Sequence, residues 1–361
     1  MADALPIYAL YALLFADHGL SSGQISLLFA IWSAVSILAE VPTGALADRY
    51  SRRNALVAAG ILQGAGYACW IGRPGLPAFA AGFVLWGLGG SLVSGALQAL
   101  VYDGLAAVGA ESQYPRVLGR ITAAGLLAQL PSALAAVALF AIGGYALVAW
   151  VSVGCCLAAA GLASRLPEPP RILDADDAPN LMATLYRGFV LIRRRPGVAP
   201  VVVAVAVLTA VDGLEEYFPL LARDWGVPTG INPLATLAIP LVGAAGAALG
   251  GRAGVQGRPG TLAVLLGGGA LLLGLAGLIA QPVGLVAVAL FYGAYRLVLV
   301  YADAKLQDGI ESSSRATVSS IAGLAAEVSV FGLYAAWTFG GVLLIAAAIL
   351  VLAAGLPRLL R

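Results

Sequence analysis

The chain is apolar in runs of about twenty residues that follow one another almost from end to end, and this leaves few ways to fold. An α-helix rises 1.5 Å per residue, so about 20 apolar residues carry it across a hydrocarbon core of roughly 30 Å. Hydrophobic spans are predicted at 2–20, 22–47, 54–72, 76–107, 114–142, 144–166, 197–222, 230–250, 259–280, 282–307, 314–340 and 341–357. Glycine, proline and charge punctuate them at Asp48–Arg53, Arg73-Pro74-Gly75, Gly143-Gly144, Gly257–Gly260 and Gln281-Pro282. The first span is the weakest, because Met1 to Leu20 is barely long enough and Pro6 interrupts it. Composition excludes a soluble globule. Of 361 residues, 61% are apolar and 11% charged, where a soluble domain carries about 25% charged residues. Glycine numbers 46 and lies within the apolar runs, where small residues let helices approach in lipid.

The basic residues orient the spans. With both termini inside, the inner connections and helix ends hold 17 of the 20 Lys and Arg residues, including Arg49, Arg52, Arg53, Arg193, Arg194 and Arg195. Arg73 and Arg223 fall outside, and Arg296 is left within a span. This asymmetry predicts an even number of spans, cytoplasmic termini and a multi-pass protein of the cytoplasmic membrane.

The longest polar stretch, 167–196, opens on Pro167-Glu-Pro-Pro and an acidic run of Asp174, Asp176 and Asp177. Leu181, Leu185, Phe189 and Ile192 then share one helical face beside Arg187 and Arg193–Arg195, a pattern of an amphipathic helix on the inner membrane surface. The stretch divides the chain into a bundle of six spans at 1–166, a cytoplasmic linker at 167–196 and a second six-span bundle at 197–361. A plain tether between the bundles and a gating element are both open readings of it.

Little in the chain suggests an enzyme. Cys69, Cys155 and Cys156 sit in apolar runs without CxxC spacing and read as small core residues. The single histidine, His18, reads as a loop residue, with proton handling as the alternative. Neither a metal site nor a nucleophile–base set stands out, and Gly267-Gly268-Gly269 lies inside a span with no phosphate-binding context. No cofactor and no nucleic acid partner are expected. Met1 is followed by Ala-Asp-Ala, without the basic region of a cleavable signal.

Between the second and third spans stands Gly44-Ala-Leu-Ala-Asp48-Arg49-Tyr-Ser-Arg52-Arg53. It resembles the Gly-x-Leu-x-Asp-Arg-x-x-Arg-Arg signature of the major facilitator superfamily in the same place, and Glu40-Val-Pro-Thr before it is familiar from bacterial drug or metabolite exporters. The resemblance implies an all-α membrane protein with 12 transmembrane helices in two pseudo-symmetric six-helix bundles. It also implies a conformational latch at Gly44, Asp48, Arg49, Arg52 and Asp103. In the family this latch holds the halves together on the cytoplasmic side while the cavity opens outward. Gly44 would let two helices touch. Asp48 would favour the positive end of a helix dipole, with span eleven starting at Ser312-Ser-Ser-Arg315. Anchoring of loops among headgroups is the plainer reading of the same charges. The sequence also departs from the family. The matching loop of the second half, Gly250–Arg258, has no aspartate; span four lacks the arginine of the family pattern at Leu85-Trp86-Gly87-Leu88; and span five has Gly125 and Pro131 but no Gly-Pro dipeptide.

An ionisable side chain inside a span costs at least about 2.5 kcal/mol unless it meets a cavity or a partner. Asp212, Glu215 and Glu216 lie in span seven, at spacings that place all three on one face of an α-helix. Arg296 lies in span ten, with Tyr292 and Asp303 on its face, and Glu327 lies in span eleven. Asp212 and Glu327, with Arg296 as counter-ion and Glu215 and Glu216 nearby, form the candidate proton or substrate site. A static ion pair that fixes helix packing is the alternative. Glu40, beside Pro42, reads as structural. In the family, spans one, four, seven and ten line the cavity. That implies a lining of Tyr8, Tyr11, Ser94, Gln98, Tyr102 and Tyr292, suited to an amphiphilic organic substrate with a cationic group. A monomeric, proton-coupled exporter of small organic molecules in contact only with membrane lipid is expected. An uptake symporter, a facilitator or a non-transporting receptor are the alternatives. Asp48→Asn is expected to cripple transport while leaving membrane insertion intact, as measured by uptake in vesicles of matched protein content; unchanged transport would remove the latch.

Overall fold

The computed structural model describes residues 5–168, 197–251, 259–310 and 315–360, and among them every regular element is helical. A 3-10 turn at Pro6–Ala9 leads into α1 (Tyr11–Asp17), followed by α2 (Ser22–Arg49), α3 (Arg52–Gly72), α4 (Leu76–Ala106) and α5 (Tyr114–Ala163). In the second half come α6 (Val198–Ala210), a 3-10 segment at Val211–Tyr217, α7 (Phe218–Asp224), α8 (Asn232–Gly251), α9 (Pro259–Ile279), α10 (Gly284–Asp308) and α11 (Arg315–Leu359). The amphipathic helix and acidic run of the linker, the loop at 252–258 and the side chains of Asp48 and Arg315 lie outside the described residues.

The described residues hold 9 helical stretches long and apolar enough to cross a membrane. Two of them, Glu111–Ala163 and Val318–Leu359, run for 53 and 42 residues, about twice what one crossing needs. Each is broken by a glycine pair. Gly144 takes φ 58°, ψ −156° and Gly341 takes φ 57°, ψ −149°, a backbone state essentially closed to side chains with a Cβ. A Cβ on the preceding Gly143 or Gly340 would stand 2.7 or 2.5 Å from the Cβ of Leu147 or Leu344. The same break thus recurs between the fifth and sixth span of each half, where the sequence places its boundaries. The short first segment completes the twelve predicted spans.

Among the described residues the helical part of that first segment runs over 6–17, which is roughly 20 Å of helix. Its side chains are enclosed by protein: Ile7, Leu10 and Tyr11 to Phe15 are all at most 2% exposed. The Ile7 N–H, left without a partner by the helix start, donates to Ser152 Oγ at 3.1 Å. Tyr145 donates to Asp17 at the opposite end. Elsewhere large apolar side chains stand outward, Ile142 at 79% and Phe339 at 84% exposure, as lipid allows and water does not.

Contacts divide the chain into two units, Met1–Leu173 with Pro228–Leu234, and Asp174–Val227 with Ala235–Arg361. The turn between spans seven and eight, predicted in the C-terminal bundle, groups with the first unit: the Cβ position of Gly230 lies 3.8 Å from Phe140 Cδ1. The first unit is centred on aromatic rings. Tyr11 packs within 5.6–6.1 Å of Phe15, Phe29, Trp70, Phe83 and Trp86, and Trp32 stacks on Trp86 at 5.1 Å. Trp70 Nε1 donates to Phe79 O at 3.1 Å.

In the second unit the backbones of α8 and α10 cross at glycine. A Cβ on Gly246 would stand 2.0 Å from the Gly293 carbonyl oxygen, and one on Gly250 would stand 2.8 Å from that of Leu297. Helices in lipid associate largely through such packing. Gly246→Val is therefore expected to cost about 1–3 kcal/mol by overpacking, read as a lowered thermal-unfolding midpoint in detergent. Gly268→Val, where a Cβ would meet nothing within 4 Å, should leave the midpoint in place.

Candidate functional site

Two polar constellations stand out, one in each unit. In the first unit, α3 begins beside the ends of two other spans. Ser51 caps it, accepting from Asn54 N at 3.0 Å. The Arg52 side chain pairs with Asp103 near the end of α4. Glu168, just after the sixth span, accepts from Ser51 Oγ at 2.6 Å and from the Arg52 N–H at 2.8 Å. Its carboxylate therefore sits on the positive end of α3 and satisfies one of its unpaired N–H groups. The sequence reading placed Glu168 in the linker. The only local signal was an acid next to Pro167 at the end of a span, and its partners are 116 and 117 residues away.

The other members of the expected latch are more loosely held. Among the described residues a Cβ on Gly44 would meet nothing within 4 Å. Arg49 is exposed, with its guanidinium carbon 5.7 Å from the neighbouring Tyr50 ring. The Asp48 side chain lies outside the described residues.

Of the expected lining residues in this unit, Ser94, Gln98 and Tyr102 form an exposed stripe one turn apart on α4. Ser94 Oγ donates to Glu40 Oε1 at 2.7 Å. Tyr8 is half-buried, edge-on to Trp86 at 6.1 Å. Tyr11, expected to line a cavity, is instead 2% exposed and fills the aromatic core. Six neighbouring rings surround it, and the four from other spans, Phe29, Trp70, Phe83 and Trp86, are not revealed by any spacing in span one.

In the second unit, span seven is not one helix. Its α-helix gives way to the 3-10 segment Val211–Tyr217 and resumes at Phe218, with Pro219 in the first turn. A 3-10 helix has three residues per turn, so positions three apart eclipse and a position four along turns away. Asp212 and Glu215 therefore share a side. Glu216 does not, which corrects the expectation of three acids on one face; it is buried, at 8% exposure. Gly213 fits this turn against α11, for a Cβ there would stand 2.6 Å from Val330 Cγ2.

Facing Asp212 and Glu215 are Tyr292 and Arg296, one turn apart on α10. Arg296 Nη1 reaches both Asp212 oxygens, at 2.8 and 2.9 Å. The Tyr292 hydroxyl lies 2.9 Å from Asp212 Oδ1 and also contacts Glu215 Oε1. Asp212 and Arg296 keep about a third of their side-chain surface exposed, 33% and 32%, so the pair is reachable rather than sealed. Tyr295 fixes the frame, donating to Leu208 O at 2.8 Å just before the 3-10 segment. Glu327 stands on an exposed face of α11.

The Tyr292 ring lies edge-on to Phe218 at 5.4 Å and tilted against Tyr295 at 5.5 Å, and a further neighbour is a glycine that the sequence reading missed. A Cβ on Gly243 would stand 2.5 and 2.6 Å from Tyr292 Cδ1 and Cε1, and 3.3 Å from Arg296 Cγ. Gly243 thus seats both polar side chains of α10. A shift of about 1 Å in such a group can cost up to about 100-fold in rate. Gly243→Ala is expected to lower transport on the order of tenfold or more, with every charge of the cluster retained and membrane insertion unchanged; initial rates in proteoliposomes check it.

Known proteins place this architecture. The model of the Major Facilitator Superfamily matches residues 1–346. Among curated proteins, none matches the chain. The fold is similar to the crystal structure of a D-xylose-proton symporter, with TM-score 0.75 and 15% identity over 99% of this chain and 94% of that one. It is similar to the nucleoside transporter NupG, with TM-score 0.75 and 12% identity over 99% and 97%. It is also similar to a bacterial homolog of the human lysosomal transporter Spinster, captured inward-facing and unoccupied, with TM-score 0.73 and 17% identity over 100% and 89%. With a family match over nearly its whole length and the twelve-span architecture beneath it, the chain belongs to the Major Facilitator Superfamily of membrane transporters.

Proposed function

We propose that the protein moves a small organic molecule across the cytoplasmic membrane by alternating access, with both termini cytoplasmic, and exports it in exchange for protons. The observation that carries the reading is the Asp212–Arg296 pair, bridged by Tyr292 to Glu215, at a break in the helix of span seven. An ion pair inside a membrane span is costly to form and costly to leave half-made. A partly exposed one can exchange a partner for a proton or for a charged group of the substrate. Glu327, on an exposed face of α11, is the further carboxylate of this proposal. Glu40-Val-Pro-Thr, before the signature at Gly44–Arg53, supports the export direction. The Arg52–Asp103 pair, with Glu168 on the start of α3, supports a latch that ties the inner ends of spans three, four and six.

A second reading, uptake by proton symport, is favoured by two observations. A similar fold belongs to a D-xylose-proton symporter, and span five carries no Gly-Pro dipeptide. The sign of proton movement separates the two. Proteoliposomes holding a pH-sensitive dye receive a probe outside: ethidium as an organic cation, xylose and uridine as neutral solutes. An antiporter alkalinises the lumen as its substrate enters, whereas a symporter acidifies it. Asp212→Asn and Glu327→Gln are each expected to abolish the proton signal of the active probe. Proton flux that survives both changes would refute coupling through these residues.

A further inference from the structure

We infer that Glu40 of α2 is the residue on which the first unit receives its substrate, and that this substrate is a singly charged organic cation with an apolar body. The inference rests on the transport reading above and names the chemistry of what is carried. Glu40 lies in the stretch of α2 that is apolar enough to cross a membrane, and α2 ends at Arg49, about 14 Å further along the axis. The Glu40 side chain is exposed, and Ser94 Oγ of α4 donates to its Oε1 at 2.7 Å. Among the described residues that hydroxyl is the one hydrogen-bond partner of the carboxylate. The ion pairs there are made elsewhere, by Arg52 with Asp103 and by Arg296 with Asp212.

A tie between helices does not explain this carboxylate. One turn earlier α2 and α4 are already joined. A Cβ on Gly87 would stand 2.9 Å from Val35 Cγ1, and the buried Ser91 hydroxyl has the carbonyls of Gly87 and Ser36 at 3.1 and 3.4 Å. A neutral side chain at position 40 could accept the same bond from Ser94. A charge within a span costs at least about 2.5 kcal/mol unless a cavity or a partner meets it. The packed elements bring no such partner. On α2 no Lys, Arg or His precedes Arg49, α4 carries none, and His18 follows the end of α1. The arginines of α3 are its first two residues, and Arg52 is paired with Asp103. Arg116 and Arg120, in the first two turns of α5, make no ion pair among the described residues. Within this unit the compensating charge is therefore left for a ligand to bring.

The surroundings choose the kind of cation. One carboxylate and one hydroxyl fall short of the six or so oxygens that a hard metal ion takes. Inward from Ser94 the exposed stripe of α4 continues through Gln98 to Tyr102, whose ring lies edge-on to Tyr114 at 5.4 Å. In the other direction, two turns before Glu40, the half-buried Trp32 stacks on Trp86. Aromatic surface thus flanks the carboxylate on both sides. An ammonium, pyridinium or phosphonium group on an aromatic or alkyl body fits this arrangement, with its charge on Glu40 and its apolar part against a ring.

Binding to the purified protein in lipid nanodiscs tests this without turnover or a proton gradient. Ethidium is followed by fluorescence anisotropy and tetraphenylphosphonium by equilibrium dialysis. Both should bind the wild-type protein. Glu40→Gln should raise each Kd on the order of tenfold or more, and Glu40→Asp should raise it less. In the unsubstituted protein, dicyclohexylcarbodiimide should modify Glu40, as located by mass spectrometry, and tetraphenylphosphonium should slow that modification where xylose does not. Equal affinity for both cations in wild type and Glu40→Gln overturns the assignment. Should that variant not fold, modification of Glu40 that tetraphenylphosphonium leaves unslowed overturns it by itself. Movement of xylose or uridine in proteoliposomes by a protein that binds neither cation overturns the inference and leaves the transport reading standing. Cation binding that depends on Glu40, with no movement of ethidium in proteoliposomes, keeps the cation site and overturns the transport reading.

Discussion

Lipid offers no hydrogen bonds, and several irregularities among the described residues carry the mark of that constraint. Most of the backbone satisfies itself in continuous helix. Where it does not, a dedicated group takes over. Ser152 receives the orphan N–H at the start of span one, and Glu168 receives one at the start of α3. At the break in span seven the Leu208 carbonyl is taken by the Val211 N–H and by the Tyr295 hydroxyl. These partners come from distant parts of the chain, so each repair of the backbone is also a tertiary tie. The break in span seven survives because its freed carbonyl is satisfied, and the break is where the ionisable residues gather.

Close packing then sets the aim of those residues. Gly243, Gly246 and Gly250 bring α8 against α10, and the first of them leaves room for the Tyr292 ring and the Arg296 stem. Gly213 brings the 3-10 segment against Val330 of α11. Besides the Tyr295 hydrogen bond, the charged cluster is thus positioned by glycines, which carry no charge and no hydrogen-bonding side chain. Precision at the polar atoms is inherited from backbones that touch.

Much of this architecture was legible in the sequence because lipid imposes a strong pattern. Apolar length marked the spans, the glycine pair at Gly143-Gly144 marked one break, and the span boundary drawn between 340 and 341 falls on the other, as the backbone angles show. Asp212 and Arg296 drew notice simply as charges inside apolar runs, and they meet. What was hidden depends on local geometry or on distant partners. An α-helical reading of span seven grouped Glu216 with Asp212 and Glu215, but the segment winds with period three. Tyr11 looked like a cavity residue, because nothing in its neighbourhood announces the rings of Phe29, Trp70 and Phe83. Gly243 is one of many glycines in apolar helix, and only the facing tyrosine distinguishes it.

Solvation supplies the last step from geometry to coupling. A single ionisable residue at the centre of a membrane span costs about 2.5–3.5 kcal/mol even on the mildest scale. Asp212, Glu215 and Arg296 could therefore not persist there as three separate charges. Asp212 and Arg296 offset each other through two contacts on one nitrogen. Water admitted at the cluster solvates charge there, and water withdrawn disfavours it. The proton coupling proposed above would follow from a motion that alternately admits and excludes water at this point.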